Sequence, residues 1–571
     1  MSKTIVGIDL GTTFSLVSVL ENGVPRVLPN ALGETLTPSA VSLDEQGRVL
    51  VGAAARARAT THPEHTALSF KRDMGSDALY SLGGKKFTPI ELSALLLKAL
   101  KAEAEHALGT TIDEAVITVP AYFGDAQRQA TRAAGQIAGL QVDRIINEPT
   151  AAAMAYGLHE RHREFKAVVL DLGGGTFDVT VLEVLEGVIE VQASAGDSRL
   201  GGDDFDQALV ERLAAQLQAE HGADPLTLPQ TRARLREAAE AAKKRLSDAD
   251  QTLVPLFELA VGKQVVSVEL PLHRRDAESA WAPLLERIQA ITLRALRDAN
   301  LKPAQVDEVL LVGGSTRLPC VGRLASQIFG RLPLRKLPPD EAVALGAAVQ
   351  AGLKQDDAAL DDVIVTDIAP FSLGTSTLQR MGGLEARGLF VPLIERGTVI
   401  PCSRAKRFVT ALDDQTEITV DAYQGEHAMA AQNHKLGEYV VRDVPKGPAG
   451  QESVEIRFSY DLNGILEVET TVLSTGKKSA LVIEQQPGRL TPEQIAEVRE
   501  GLARLKFHPQ DALPNVAALN RADALYMELV GPARAQLGGL IAHFRAALDS
   551  QDGELIRVVR ERLVAAVARG R

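Results

Sequence analysis

Up to about Leu353, short apolar runs rich in β-branched residues alternate with Ala/Leu-rich stretches on helical spacing. Val116-Ile117-Thr118-Val119 and Val309-Leu310-Leu311-Val312 read as buried strands. Leu92, Leu96, Ala99 and Ala104, and likewise Ala238, Ala242 and Arg245, fall at helical intervals. This alternation predicts an α/β unit with covered sheets. Residues 354–362 are acidic and lack strand character, and the apolar Val363-Ile364-Val365 follows, which reads as a linker with a sticky centre. After Pro370 the period shortens to two. Glu417-Ile418-Thr419-Val420-Asp421 and Val454-Glu455-Ile456-Arg457-Phe458 alternate polar and apolar positions, and the second run meets Ile465-Leu466-Glu467-Val468 through Asn463-Gly464, a strong hairpin signal. Residues 369 to about 486 therefore predict an antiparallel β domain with one face buried. From Thr491-Pro492-Glu493, a helix start, Ile495, Val498, Leu502 and Leu505 share a face. Helix continues to Arg571 with breaks at Pro509, Pro514 and Pro532.

Composition narrows the function. With 571 residues, at about 150 per domain, the chain holds roughly four compact units or fewer large ones. The 62 basic and 74 acidic side chains leave a net charge of −12. That balance argues against a general nucleic-acid or membrane-surface binder, which needs a basic footprint. Cys320 and Cys402 lie far apart without a C-x-x-C, so neither a disulfide framework nor a thiolate zinc site is expected, and a reducing compartment fits. Asp9 and a glycine turn interrupt the N-terminal apolar run before a signal-peptide core forms, and no run approaches bilayer length. A cytoplasmic protein is expected.

The chemistry concentrates in an internal echo. Ile5-Val6-Gly7-Ile8-Asp9-Leu10-Gly11-Thr12-Thr13 resembles Val168-Val169-Leu170-Asp171-Leu172-Gly173-Gly174-Gly175-Thr176. In each, an apolar strand reaches an aspartate, a Gly/Thr turn follows, and a second strand leaves. Glycines let backbone N–H groups approach phosphate oxygens, threonine hydroxyls add donors, and the aspartate can hold Mg²⁺ directly or through water. One such turn alone is as readily a plain hairpin; two equivalent copies point to a clamp on one polyphosphate. No G-x-x-x-x-G-K-[ST] and no G-x-G-x-x-G occurs, so neither a P-loop nor a dinucleotide fold is indicated. A third loop, Gly313-Gly314-Ser315-Thr316-Arg317, follows a strand, and its arginine could stack on a purine.

These loops, with Val119-Pro120-Ala121-Tyr122-Phe123, Asn147-Glu148-Pro149-Thr150, Asp171-Leu172-Gly173-Gly174-Gly175-Thr176-Phe177-Asp178 and Asp340-Glu341-Ala342-Val343-Ala344, resemble the DnaK-type heat-shock chaperone family over essentially the whole chain. Phe70-Lys71-Arg72, the short lobe around it and the shortened C-terminus are most similar to the short HscC-like paralogues. The resemblance implies an actin/hexokinase-type duplicated α/β ATPase domain over 1–354, an interdomain linker over 355–368, an antiparallel β-sandwich peptide-binding domain over 369–487 and a short α-helical lid over 488–571. The implied function is that of an ATP-dependent chaperone that binds and releases extended apolar segments of unfolded proteins.

The same resemblance implies residue roles. Gly11, Thr12, Thr13, Gly173, Gly174, Gly175, Gly201 and Gly202 would hold the phosphates of ATP or ADP, and Asp9 and Asp171 would hold Mg²⁺, with K⁺ also expected. Lys71, Glu148, Asp171, Thr176 and Asp178 form the catalytic set. Spacing alone makes Lys71 a surface lysine; only the resemblance places it at the γ-phosphate. Glu240, Lys243, Ser247, Gly313, Gly314, Ser315, Arg317 and Asp340 match the adenosine pocket. The 3- and 4-residue spacing puts Glu240, Lys243 and Ser247 on one helical face, although an exposed Glu–Lys pair reads equally from spacing. Pro120, Arg128, Arg144, Val363, Ile364, Val365 and Asp367 match interdomain coupling positions. Thr375, Leu378, Phe408, Ala411, Ile418 and Val420 match the pocket for an apolar peptide side chain, although their pattern also suits ordinary sandwich core.

Partners implied are extended client polypeptides and a J-domain co-chaperone; the need for a nucleotide-exchange factor is left open, and a monomer without nucleic acid or membrane is expected. Three departures stand out. Phe14 replaces the usual asparagine, Thr366 the usual leucine, and Thr375 a large aliphatic, the last predicting weaker leucine-centred peptide binding and a hydroxyl in need of a partner. The end, Ala568-Arg569-Gly570-Arg571, has no acidic tail motif, so tail-reading co-chaperones are not expected. Two other classes share the duplicated fold, a small-molecule kinase and an actin-like filament protein, but neither has a use for residues 369–571.

Overall fold

The computed structural model describes residues 4–30, 32–43, 49–157, 164–185, 188–355, 364–381, 384–461, 464–482, 518–519, 522, 525–526, 529, 531–550 and 553–569. In the α/β portion two sheets repeat one plan. The first runs Gln141–Asn147, Glu114–Val119, Ile5–Asp9, Phe14–Glu21, Val24–Leu28; the second runs Glu308–Val312, Phe165–Leu172, Phe177–Leu185, Val188–Asp197. In each, the strand bearing the loop aspartate pairs antiparallel with its successor (Asp9↔Leu16, Asp171↔Asp178) and parallel with a later strand (Gly7↔Val116, Asp171↔Val312). The sequence echo is thus a structural duplication. Strands such as Glu308–Val312, apolar from Val309 onward and buried along their whole length, are what covered parallel pairs require.

Helices Glu148–Gly157 and Ala342–Lys354 cross between the two sheets. Their backbones touch: a Cβ on Gly346 would overlap the Ala151 carbonyl, so only glycine fits. Ser18 Oγ ties this crossing to the first sheet by donating to the carbonyl oxygens of Gly7 (3.0 Å) and Ala344 (2.5 Å).

The second sheet does not stop at Val188–Asp197. Ile364–Ile368 adds parallel to it (Val188↔Ile364, Ile189↔Val365, Glu190↔Thr366), and Val399–Ile400 adds antiparallel beyond. From Ile364 onward the apolar centre of the expected linker is a strand of the α/β sheet, because the edge strand leaves N–H and C=O groups that an extended segment satisfies. Val363 and the acidic stretch 356–362 lie outside the described residues.

Residues beyond 369 form two four-stranded antiparallel sheets, Leu384–Ile394, Leu373–Met381, Glu417–Gln424, His434–Arg442 and Cys402–Val409, Ser453–Tyr460, Leu466–Val472, Lys478–Val482. Leu373, Ile394, Val420 and Leu436 from one sheet and Val454, Ile456, Phe458 and Val468 from the other share one core. The expected hairpin around Asn463-Gly464 pairs Tyr460 with Leu466, Asn463 itself lying outside the described residues. Helices Gly531–Ser550 and Gly553–Arg569 pack through Leu537, Phe544, Leu548, Val559 and Leu563. Pro532 falls in the first turn, where a missing N–H leaves no helix bond unmade. The helical face expected at Ile495, Val498, Leu502 and Leu505, and the breaks at Pro509 and Pro514, lie outside the described residues. Among the described residues, no helix is long and apolar enough to cross a membrane.

Candidate nucleotide site and its junction with the β-rich portion

The two glycine–threonine turns face each other. A Cβ on Gly174 would overlap Thr13 Oγ1, and one on Gly175 would lie 2.7 Å from Thr12 Oγ1. The second turn is held by Gly173 N donating to Thr176 O (3.1 Å), and the Gly201-Gly202 turn docks on it through Gly202 N to Gly173 O (2.9 Å) and Asp203 N to Gly174 O (2.8 Å). Gly11, Thr12, Thr13, Gly173, Gly174, Gly175, Thr176, Gly201 and Gly202 are therefore brought together, with small residues wherever a side chain would fill the gap.

Behind the turns lies a buried charge cluster. Lys71, 3% exposed, donates to Glu148 Oε1 at 2.6 Å. Lys71 sits in the short 3₁₀ turn Phe70–Asp73 and Glu148 opens helix Glu148–Gly157, so two elements must dock to make the pair. Thr118 Oγ1 donates to Asp9 Oδ1 (3.1 Å), and the Tyr122 N–H to Asp178 Oδ1 (3.1 Å). Burial, then the charge of Glu148, pushes Asp9 up to about 7 and Asp178 up to about 8. Asp171 is driven well above the usual carboxylate range by burial, then by Glu148, Asp178 and Asp9. Asp171 Oδ2 is buried with no hydrogen-bond partner. Four carboxylates against one lysine make a site short of positive charge, which a divalent cation would complete. Among the described residues no three His, Cys, Asp or Glu side chains converge as a cage. The donor set suits Mg²⁺, which takes one or two carboxylates and fills its remaining positions with water and phosphate oxygens.

Helix Pro229–Asp248 carries the expected adenosine side chains. Lys243 Nζ pairs with Asp206 (2.8 Å) and donates to Gly202 O (3.0 Å), linking this helix to the phosphate turns. Ser247 Oγ donates to Lys243 O (3.3 Å). Glu240 pairs with Lys244 (2.9 Å) and, across the cleft, with Arg56. Burial pushes Glu240 upward, but Arg56 and then Lys244 outweigh it and hold the carboxyl below its usual range. Ser315 Oγ donates to Gly173 O (2.9 Å), and Arg317 Nε to Asp340 Oδ2 (2.8 Å). Gly313 has φ +82° and abuts the Leu172 carbonyl, a left-handed close approach that favours glycine. Phe14, the departure in the first turn, lies with its ring centroid 5.6 Å from Lys244 Nζ.

Sequence reasoning did not find Arg56, Asp206 or Thr118, nor two further ties across the cleft: Arg72 to Asp204 (2.5 Å) and Ser69 Oγ to Asp203 (2.6 Å). Arg72 and the Asp203-Asp204 pair adjoin residues that were singled out, and their opposite charges were the available signal. Nothing in the spacing of Arg56 and Asp206 marks them.

The interdomain candidates also converge. Arg128, buried, donates to the carbonyl oxygens of Phe123 (3.0 Å) and Ala121 (3.3 Å) and to Asn147 Oδ1 (2.6 Å), and Asn147 Nδ2 donates to Asp367 Oδ2 (2.6 Å). Pro120 caps the turn that presents these carbonyls, Phe123 N donating to its oxygen (3.1 Å). Burial lowers Arg144 against the opposing pull of Asp367 and Asp461. Asp125, not anticipated, is buried beside Asp461 of the β-rich portion; burial, then Asp461, pushes it up to about 8. Tyr122 packs on Phe371 at 4.4 Å between centroids.

In the β-rich portion Val420 belongs to the core, and Phe408 from one sheet and Ile418 from the other are partly buried against that core. Leu378 is half-buried beyond them, and the Ala411 N–H donates to Gln415 Oε1 (2.9 Å). The partner that the Thr375 hydroxyl needs is Asp421: Thr375 is 2% exposed and donates to Asp421 Oδ1 at 3.0 Å.

A duplicated α/β fold around two facing glycine–threonine turns, followed by a β-rich portion and helices, defines a class of multi-domain ATP-binding proteins. Residues 5–552 match the family model described as Hsp70 protein, and the chain belongs to the Hsp70 family. It is thereby a member of a family of ATP-dependent chaperones that hydrolyse ATP, bind ATP or ADP with Mg²⁺, bind unfolded polypeptides and typically work with J-domain co-chaperones.

Proposed function

We propose that residues 1–354 are the ATPase domain, 355–368 the linker, 369–487 a β-sandwich that grips extended apolar peptides and 488–571 a short lid of the HscC-like kind, with hydrolysis setting peptide affinity through the linker. The observation that carries this reading is the buried Lys71–Glu148 pair among Asp9, Asp171 and Asp178, directly behind two facing Gly/Thr turns.

The N–H groups and hydroxyls of Gly11, Thr12, Thr13, Gly173, Gly174, Gly175 and Thr176, with Gly201 and Gly202, bind the phosphates. Glu240, Lys243, Ser247, Gly313, Gly314, Ser315, Arg317 and Asp340 bind the adenosine. Asp9 and Asp171 hold Mg²⁺, K⁺ accompanies it, and when bound the metal neutralises phosphate charge and favours ionised carboxylates nearby. Glu148 fixes the Lys71 ammonium, which stabilises negative charge growing on the transferred phosphoryl group, as donors aimed at developing charge do. Thr176 adds a hydroxyl donor. Glu148, Asp171 and Asp178, the last held by the Tyr122 N–H, are the carboxylates that orient the attacking water.

Pro120, Arg128, Arg144 and Asp367 report the cleft's state to the strand that starts at Ile364, Val363 and Val365 completing the apolar segment. Thr375, Leu378, Phe408, Ala411, Ile418 and Val420 line the peptide site, where backbone bonding to an extended chain gives broad selectivity. The test is steady-state ATPase activity with and without an unfolded apolar peptide and a J-domain protein. Stimulation by both is expected. Hydrolysis indifferent to both would refute the coupling, and absence of hydrolysis would refute the site.

A further inference from the structure

Strand Leu373–Met381 pairs along nine positions with Leu384–Ile394. On its other side it pairs with Glu417–Gln424 only through Leu373↔Gln424 and Gly374↔Tyr423. Beyond Gly374 the two hairpins part, while Glu417–Gln424 keeps its pairing with His434–Arg442, Asp421 opposite Glu438. At the fork a carboxylate fills the edge. Asp421 Oδ1 accepts from Ser376 N (2.9 Å) and from Thr375 Oγ1 (3.0 Å), and Oδ2 accepts from Ser376 Oγ (2.6 Å).

Asp421 thus does with a side chain what a neighbouring strand does with a carbonyl: it takes a backbone N–H on a parted sheet edge. An extended peptide that adds to a sheet edge gains its affinity from such donors. Thr375, where a large aliphatic was expected, turns its hydroxyl to the same carboxylate and is closed off with it. The two departures from an apolar groove are one device. Hydrogen bonds to an ionised acceptor are about twice as strong as neutral ones, so three on one carboxylate hold the fork shut firmly.

We infer that Asp421 is an internal competitor for client peptide: its carboxylate occupies the Ser376 N–H and seals the strand edge, and an extended peptide binds by displacing it. The inference rests on the peptide-groove reading above and adds to it a specificity-determining residue. Clients that bind must offer a carbonyl to Ser376 and enough apolar contact to expel a hydrogen-bonded carboxylate, so weakly apolar segments are rejected.

The test uses the full chain with ADP, a fluorescent leucine-rich heptapeptide in anisotropy titrations, and amide hydrogen exchange at Ser376. Asp421→Asn and Asp421→Ala should each tighten the peptide by about tenfold, and Thr375→Val, which removes one donor at constant shape, by about threefold. Without peptide, Ser376 exchange should accelerate in Asp421→Ala, and peptide should restore its protection. Unchanged or weaker peptide binding in both Asp421 variants, with the wild type still binding, overturns the competition and leaves the groove reading intact. Unaltered Ser376 exchange in Asp421→Ala overturns it as well, whatever the peptide does. Absence of peptide binding in the wild type and every variant overturns both readings.

Discussion

Lys71 is the residue on which hydrolysis most depends in this account, and its burial makes two effects separable. Thr176→Ala should leave nucleotide binding and fold intact while slowing single-turnover hydrolysis by about 10²–10³-fold, the usual loss on removing one donor to a developing anion. Lys71→Ala should slow it comparably and also destabilise the protein by about 3–5 kcal/mol, because Glu148 is left buried without its partner. Adding Glu148→Gln to Lys71→Ala should restore much of the melting temperature and none of the rate; recovery of the rate would remove Lys71 from the chemistry. Neither the burial of Lys71 nor its partner was legible in spacing, since Glu148 lies 77 residues away; the motif Phe70-Lys71-Arg72 was visible only as a likeness. The glycines were legible from chemistry alone, because a repeated Asp-Leu-Gly turn that leads into threonine has few physical uses. Thr375 was seen to need a partner, but Asp421, 46 positions on, could be found only by folding the two hairpins together.

At the scale of elements, the change of hydrophobic period near Pro370 located the passage from α/β to antiparallel β structure, and the duplicated strand–turn–strand predicted the duplicated sheets. What periodicity did not convey was the form that 364–368 takes, because a short apolar run in a linker suits side-chain docking and an added strand equally. The structure settles it as a strand beside Val188–Asp197. A strand joined to the second α/β sheet at one end and leading into the β-rich portion at the other can carry a coupling only while it is paired. Ile364→Asp should therefore reduce peptide stimulation of the ATPase about tenfold, within the usual range of allosteric coupling, and leave the basal rate within about twofold. Steady-state rates with and without peptide decide it. Equal loss of both would make the strand a structural seam.

Over the whole molecule the two portions meet across buried charge. Asp125 faces Asp461 and Tyr460 from the β-rich side and Arg128 and Gln129 from its own helix, with Arg144 and Asp367 in the same cluster. Its pKa rises from 3.8 to about 8 in the joined arrangement, chiefly through burial and then Asp461. A raised carboxyl means that the joined form binds the extra proton. Its contribution is full below the ordinary value and is lost as pH climbs from 3.8 toward about 8. Small-angle scattering should find the nucleotide-free chain more compact at pH 6 than at pH 8.5, and Asp125→Asn should remove that dependence; an unchanged radius of gyration in the wild type would contradict it. The most direct test of the central claim, that one cleft and one β-rich groove share a single equilibrium, is the dissociation constant of one extended apolar peptide measured with ATP and with ADP. Binding should be weaker with ATP, by about 5–150-fold, with a reciprocal effect of peptide on nucleotide. Equal peptide affinity in the two nucleotide states would contradict it.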